Sequence, residues 1–265
     1  MADVAWPALL DALLQVELLG PSDSGLLSFG AGPEGGIFVQ GGRVCWVAAR
    51  GLQTRLRDLL RAERGMNDAE LERVYQRCRS DGRVFGQSLV EEGLIEAQEL
   101  ERALRRHSAE CLIRLCDAPK PTLWSSRGER GYAAQFTFEP AELLSDVVSL
   151  LLPGAVLAAR EEARQLGAAA DSTSAFVVDA VRGVAVPVLA PREPFSVESL
   201  TALGNWAMSV PLASRELAAT PTVILAATAG GEMVWVWWRD SLLFTVFCRD
   251  RLNLAAVTAH HLACA

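Results

Sequence analysis

The stretch EMVWVWW (232–238), the turn Arg239-Asp240-Ser241 and LLFTVFC (242–248) give the chain its clearest local signature. Read as a strand, the first part puts Met233, Trp235 and Trp237 on one face and Val234, Val236 and Trp238 on the other. Both faces are apolar, so this strand needs cover on both sides. TVILAAT (222–228) precedes it, separated by Ala229-Gly230-Gly231. Three β-rich runs with short polar or glycine turns predict an antiparallel meander.

Reading outward, SVESLTALGNWAMSVPLASREL (196–217) has helical spacing, with Ser196 as N-cap and Glu198 just inside. Leu200, Leu203, Trp206, Ala207 and Val210 form a wide apolar stripe almost without charge, poorly suited to water on its far side. SAFVVDA (174–180), the turn Arg182-Gly183 and VAVPVLA (184–190) predict a hairpin. Pro187 makes its second strand an edge or marks a bulge. LLSDVVSLLLPGAVLAAREEARQL (143–166) reads as a helix with a kink at Pro153, and NLAAVTAHHLACA (253–265) as a closing helix. The order α-β-β-α-β-β-β-α predicts one five-stranded antiparallel sheet with helices. A two-fold dimer through the apolar helix is the expectation, with Val223, Leu225, Trp235 and Trp237 completing the interface.

The chain before residue 143 reads differently. WPALLDALLQVELLG (6–20) is an apolar helix ended by Gly20-Pro21. GLLSF (25–29), GIFVQ (36–40) and RVCWVAA (43–49), with Gly41-Gly42 between the last two, predict a small meander. From Gln53 to about Leu115 the pattern is helical and charge-dense, with Asp68 and Glu96 near helix starts. ELER occurs at 70–73 and at 99–102, an offset of 29 residues that Leu60/Leu89 and Leu56/Phe85 share. Two helical hairpins stacked on the strands are expected. LWSSRGERGYAAQFTFEP (123–140) reads as a hairpin arm carrying Phe136 and Phe138. The fold class is therefore α+β: helix, β-meander and helical hairpins over 1–142, then the five-stranded sheet with helices over 143–265. The stretch 166–174 is a second flexible point.

Composition bounds the function. The chain has 265 residues, 51% hydrophobic, and a net charge of −7, enough for a packed core. An acidic chain lacks the cationic surface that nucleic-acid binding requires. No uncharged apolar run reaches the ~18–20 residues that span a bilayer, so no membrane insertion is expected. The first cation is Arg43, which argues against a signal peptide. Six Cys without a CxxC pair read as reduced, buried thiols in a cytoplasmic protein.

FVVDAVRG (176–183), the helix 196–217 and VWVWWRDSLLFTVFCRDRLNLAAV (234–257) resemble the roadblock/dynein light chain superfamily, with Asp179, Gly183 and Asn253-Leu254 at matching positions. Pro187 and PREPF (191–195) depart from the pattern. The leading helix, GLLSF, GIFVQGGRVCWVAA, LVEEGLI (89–95) and FTFEP (136–140) resemble the bacterial PATAN family. Both resemblances imply a non-catalytic bacterial signalling or scaffolding protein. The first implies dimerisation through the central helix and third strand, and a Ras-like small GTPase as a protein partner.

Other motifs weaken on inspection. GAGPEG (30–35) fits G-x-G-x-x-G but leads into a strand and not a helix, so it reads as a hairpin turn rather than a dinucleotide site. VFGQSLVEEGLI (84–95), after Arg83, resembles one half of the cyclic di-GMP motif of secretion and pilus ATPases. The upstream copy has Arg57 where this one has Gly86. A cyclic dinucleotide sensor built on residues 56–104 is the alternative reading; otherwise Gly86 and Gly93 are structural turns. His260 and Cys264 could share a metal, but two ligands near a helix end are too few. His107, after RALRR, reads as a solvated face residue. Cys111 and Cys116 fall on different helix faces. No G-x-S-x-G, HExxH or P-loop occurs. No enzyme activity, cofactor or metal is expected.

Overall fold

Turn residues and apolar periodicity explain the elements of a computed structural model. It describes residues 6–30, 35–52, 56–64, 67–115, 122–129, 131–151, 161, 174–179, 184–189, 196–209, 224–227, 233–239 and 242–248. The protein is mixed α/β, with seven helices and two antiparallel sheets among those residues. It divides into two units, Met1–Val147 and Val148–Ala265. No described helix is long and apolar enough to cross a membrane.

The first unit begins with helix α1 (Trp6–Glu17), then strands β1 (Gly25–Phe29), β2 (Gly35–Gln40) and β3 (Arg43–Ala49). Gly41 and Gly42 join β2 to β3 with φ of 59° and 74°. Two successive positive φ values make the type I′ turn whose twist matches a hairpin, a conformation that side chains disfavour. Helices α2 (Leu56–Arg64), α3 (Asp68–Asp81), α4 (Phe85–Glu91) and α5 (Ala97–Leu115) follow. Asn67 caps α3, its side chain accepting from the Ala69 amide at 2.8 Å. Helix α5 packs on β3 and on α2. Nine of its residues are buried, and all but Ala109 (Leu100, Ala103, Leu104, His107, Ser108, Cys111, Leu112 and Leu115) lie on one stripe of helical spacing. Leu60 and Leu89, equivalent in the repeat, are both fully buried.

The segment 123–140 differs from the expected hairpin arm. Strand β4 (Thr122–Ser126) pairs antiparallel with β1, giving the four-stranded order β3-β2-β1-β4. Ala134–Phe136 is a turn of 3₁₀ helix, and Phe138 makes an isolated bridge to Val44. The reason lies in β1, whose second edge was left unpaired by a three-strand meander; β4 satisfies those backbone groups. Arg43 holds the returning chain: its guanidinium donates to the hydroxyl and the carbonyl of Thr137, each at 2.9 Å, and pairs with Glu139. Helix α6 (Pro140–Leu151) is tied to α5 by Arg105, which donates to Asp146 at 2.8 Å.

In the second unit, strands β5 (Ser174–Asp179), β6 (Val184–Leu189), β7 (Ile224–Ala227), β8 (Met233–Arg239) and β9 (Leu242–Cys248) form one antiparallel sheet of order β6-β5-β9-β8-β7. Pro187 sits on edge strand β6, and the register with β5 slips between Ala175 and Phe176. The missing N–H thus falls where the ladder is already interrupted. Helix α7 (Val197–Ser209) packs on β5 and β6. Ser196 caps it, the hydroxyl accepting from the Ser199 amide at 2.9 Å. On central strand β9, Leu243, Thr245 and Val246 are all buried, so both faces of the strand are covered.

Several expectations lie outside the described residues. These are the Pro153 kink, the flexible stretch up to residue 173, Gly183, PREPF, Val210 and the rest of helix 196–217, Val223, and the closing helix with Asn253-Leu254, His260, His261 and Cys264. Cys116 lies outside them too.

Candidate functional site

Among the described residues, a concavity lies in the first unit. It is a cleft of about 800 Å³, near the upper end of the ~300–1,000 Å³ common for small-molecule sites. Helices α2 to α5 supply most of its wall, and Trp46 of β3 with Tyr132 and Phe136 supplies the remainder.

The repeat explains where the cleft lies. Leu56, Arg57, Asp58, Leu71 and Tyr75 line it from the first copy. Their equivalents 29 positions on, Phe85, Gly86, Gln87, Leu100 and Leu104, line it from the second. The cleft is therefore the seam between the two copies of the repeat, which meet through α2 on α5 and α3 on α4. Gly86 serves close packing inside a helix, not a turn as the sequence suggested. A Cβ there would stand 3.0 Å from Leu100 Cδ1, so a larger residue requires the Leu100 side chain to give way. Gly93 does lie in a turn, with φ of 70°.

The aromatic lining is held in place. The Gln40 side-chain amide donates to the Tyr132 carbonyl at 2.9 Å and accepts from the Tyr132 amide at 3.1 Å. Tyr75 and Phe85 meet edge to face, ring centroids 5.7 Å apart. Trp46 is backed by His107, at 4.6 Å between centroids. His107 is buried, which corrects its placement on a solvated face. Its ring lies 3.6 Å from Cys111 Sγ, and Nδ1 has no partner among the described residues. Burial lowers its pKa, against a smaller upward pull from Glu110. The signal was present: position 107 continues the spacing of Leu100, Ala103, Leu104 and Cys111. The neighbouring arginines in RALRR masked it.

Charge in the cleft is mostly committed. Arg61 donates to Asp68 at 3.1 Å and lies 3.5 Å from Asp58. Glu72 accepts from Gln76 at 2.6 Å. Arg57 is exposed and has no partner among the described residues. Arg83, the cation expected of the cyclic di-GMP motif, is not in the lining; it pairs with Glu91. No group of three metal-binding side chains occurs among the described residues.

No protein-family model matches the chain. No curated protein matches it either.

Of the residues expected at a dimer interface, three on α7 have described side chains, and their burial differs. Leu200 is 1% exposed and belongs to the core of its own unit, because its side of α7 faces the sheet. Leu203 is half-buried. Trp206 is 39% exposed. The register sets Leu225 beside Trp235, and Trp237 beside Phe244. The side chains of Ala207, Leu225, Trp235 and Trp237 lie outside the description. Residues 31–34 of GAGPEG lie outside the described residues; the element that follows, from Gly35, is strand β2 and not a helix.

Proposed function

We propose that the protein is a non-catalytic bacterial signalling or scaffolding protein that acts by protein–protein contact. In this reading its second unit is a roadblock-like module, its first a PATAN-like domain, and its setting the cytoplasm. The supporting observation is the connectivity of the second unit: hairpin β5–β6, helix α7 against it, then the meander β7–β8–β9 returning beside β5. That is the element order on which the resemblance rests.

A docking role also needs surface. Trp206 offers a large exposed aromatic on α7, and β7 is a sheet edge. Interfaces favour such aromatic anchors, and an edge strand offers backbone groups for pairing. The protein would form a homodimer through α7 and β7 and present the joined sheets to a protein partner, with a Ras-like small GTPase as the candidate class. Light scattering on the wild type and Trp206→Glu tests the dimer. A wild-type dimer that the substitution converts to monomer supports it; an unchanged mass places the dimer surface elsewhere. Immobilised protein exposed to the host's small GTPases in their GDP and GTP forms tests the partner.

A further inference from the structure

We infer that the cleft between the two copies of the helical repeat in the first unit binds a planar aromatic ligand carrying an anionic group, of the nucleotide class. Three independent observations converge on it.

The first is shape and lining. A cleft of about 800 Å³ carries Trp46, Tyr75, Phe85, Tyr132 and Phe136, including both tyrosines of the chain. Flat π-faces in a cleft stack planar heterocycles irrespective of their sequence of substituents. Tyr75 is 47% exposed on a helix whose other exposed residues, Ala69 apart, are polar, so its ring is available for stacking.

The second is charge. The acidic side chains Asp58, Asp68 and Glu72 already have donors, and Arg61 is shared by two of them. Among the described lining residues, Arg57 alone is an uncommitted cation. A guanidinium forks onto phosphate or carboxylate oxygens in two parallel bonds.

The third is the asymmetry of the repeat. Where the second copy has Gly86 and Leu104, the residues that close packing calls for, the first has Arg57 and Tyr75. The two departures are the free cation and the exposed ring. Helix packing alone explains neither, whereas a ligand with one anionic and one planar part uses both.

Calorimetric titration of the full chain with AMP, GMP and cyclic di-GMP tests the inference. Adenosine, guanosine, ribose 5-phosphate and inorganic phosphate are the controls. At least one nucleotide should bind with Kd below ~100 μM, and its nucleoside or phosphate alone should bind at least about tenfold more weakly. Arg57→Ala and Tyr75→Ala should each weaken that nucleotide about tenfold, and Arg57→Ala should leave the thermal melt unchanged, since its side chain is exposed. Arg79→Ala, on the same helix but outside the lining, should bind as wild type. The inference fails if none of the three nucleotides binds saturably. It also fails if the nucleoside binds as tightly as its nucleotide, or if both lining variants retain wild-type affinity.

Discussion

The indole of Trp46 lies against the imidazole of His107, ring centroids 4.6 Å apart and planes tilted by 30°. One ring lines the cleft and the other is buried behind it, 6% exposed. The contact couples sheet to helix, because β3 carries Trp46 and α5 carries His107. It also makes a titratable group part of the packing that supports the cleft.

Stability should therefore depend on pH in a defined direction. Burial holds the folded His107 pKa below 6.5, so as pH falls past about 6.5 the unfolded chain takes up a proton that the folded chain refuses. The contribution is present above that pH and is lost below it, by at most ~1.4 kcal/mol per pH unit, until the folded pKa is reached. Urea melts of wild type and His107→Met between pH 7.5 and 5.5 should show the wild type losing more stability over that window. Equal losses would mean that the imidazole titrates as freely as in the unfolded chain.

Cys111 should be chemically silent in the folded protein. Burial outweighs the downward pull of a backbone hydrogen bond with Ala49 and, with a smaller push from Glu110, raises its thiol to about 12, so almost no thiolate exists near neutrality. Iodoacetamide at pH 8, followed by peptide mass mapping, should leave Cys111 unmodified until denaturant is added. Rapid labelling in native buffer would contradict the burial.

Enlarging Gly86 should damage the seam. Gly86→Val drives side-chain atoms against Leu100, whose Cδ1 would lie only 3.0 Å from a Cβ at position 86, so Leu100 must shift. Overpacking of this kind costs roughly 1–3 kcal/mol. A drop in the chemical-denaturation midpoint is the expected readout; an unchanged midpoint would show that α4 can shift away freely.

The link between α5 and α6 should be measurable. Burial alone would lower the Arg105 pKa, but its bonds to Asp146 and Glu142 prevail and raise it. Arg105 also lies over the Phe138 ring, 5.9 Å from its centroid. Arg105→Met removes partner and stack together and leaves Asp146 half-buried without its cation, at a cost of roughly 1–3 kcal/mol, between exposed and buried pairs. Asp146→Asn should cost less, because the amide oxygen still accepts from the guanidinium. Equal effects of both substitutions would argue against the packing part.

Local signals carried much of the fold. The Gly41-Gly42 hairpin, the Ser196 cap, the strand positions and the helices of 56–115 are all set within a few residues by turn chemistry and periodicity. Pro187 even indicated both an edge and a bulge, because a missing N–H has few tolerable places in a ladder. The pairing of β4 with β1 was not legible, since the two strands are almost a hundred residues apart and nothing in either names the other. The cleft was half legible: the repeat was readable, but the lining needed the mutual packing of its two copies.

By itself the amino-acid sequence determined which residues are helical or extended and which faces are apolar, because those depend on backbone sterics and on the period of side chains along one element. Only the tertiary structure decided that His107 is buried behind Trp46, that Leu200 belongs to a core while Trp206 meets solvent, and that Arg57 and Tyr75 share one cleft. Those outcomes depend on which surface another element covers, and cover is a property of long-range packing that no local period encodes.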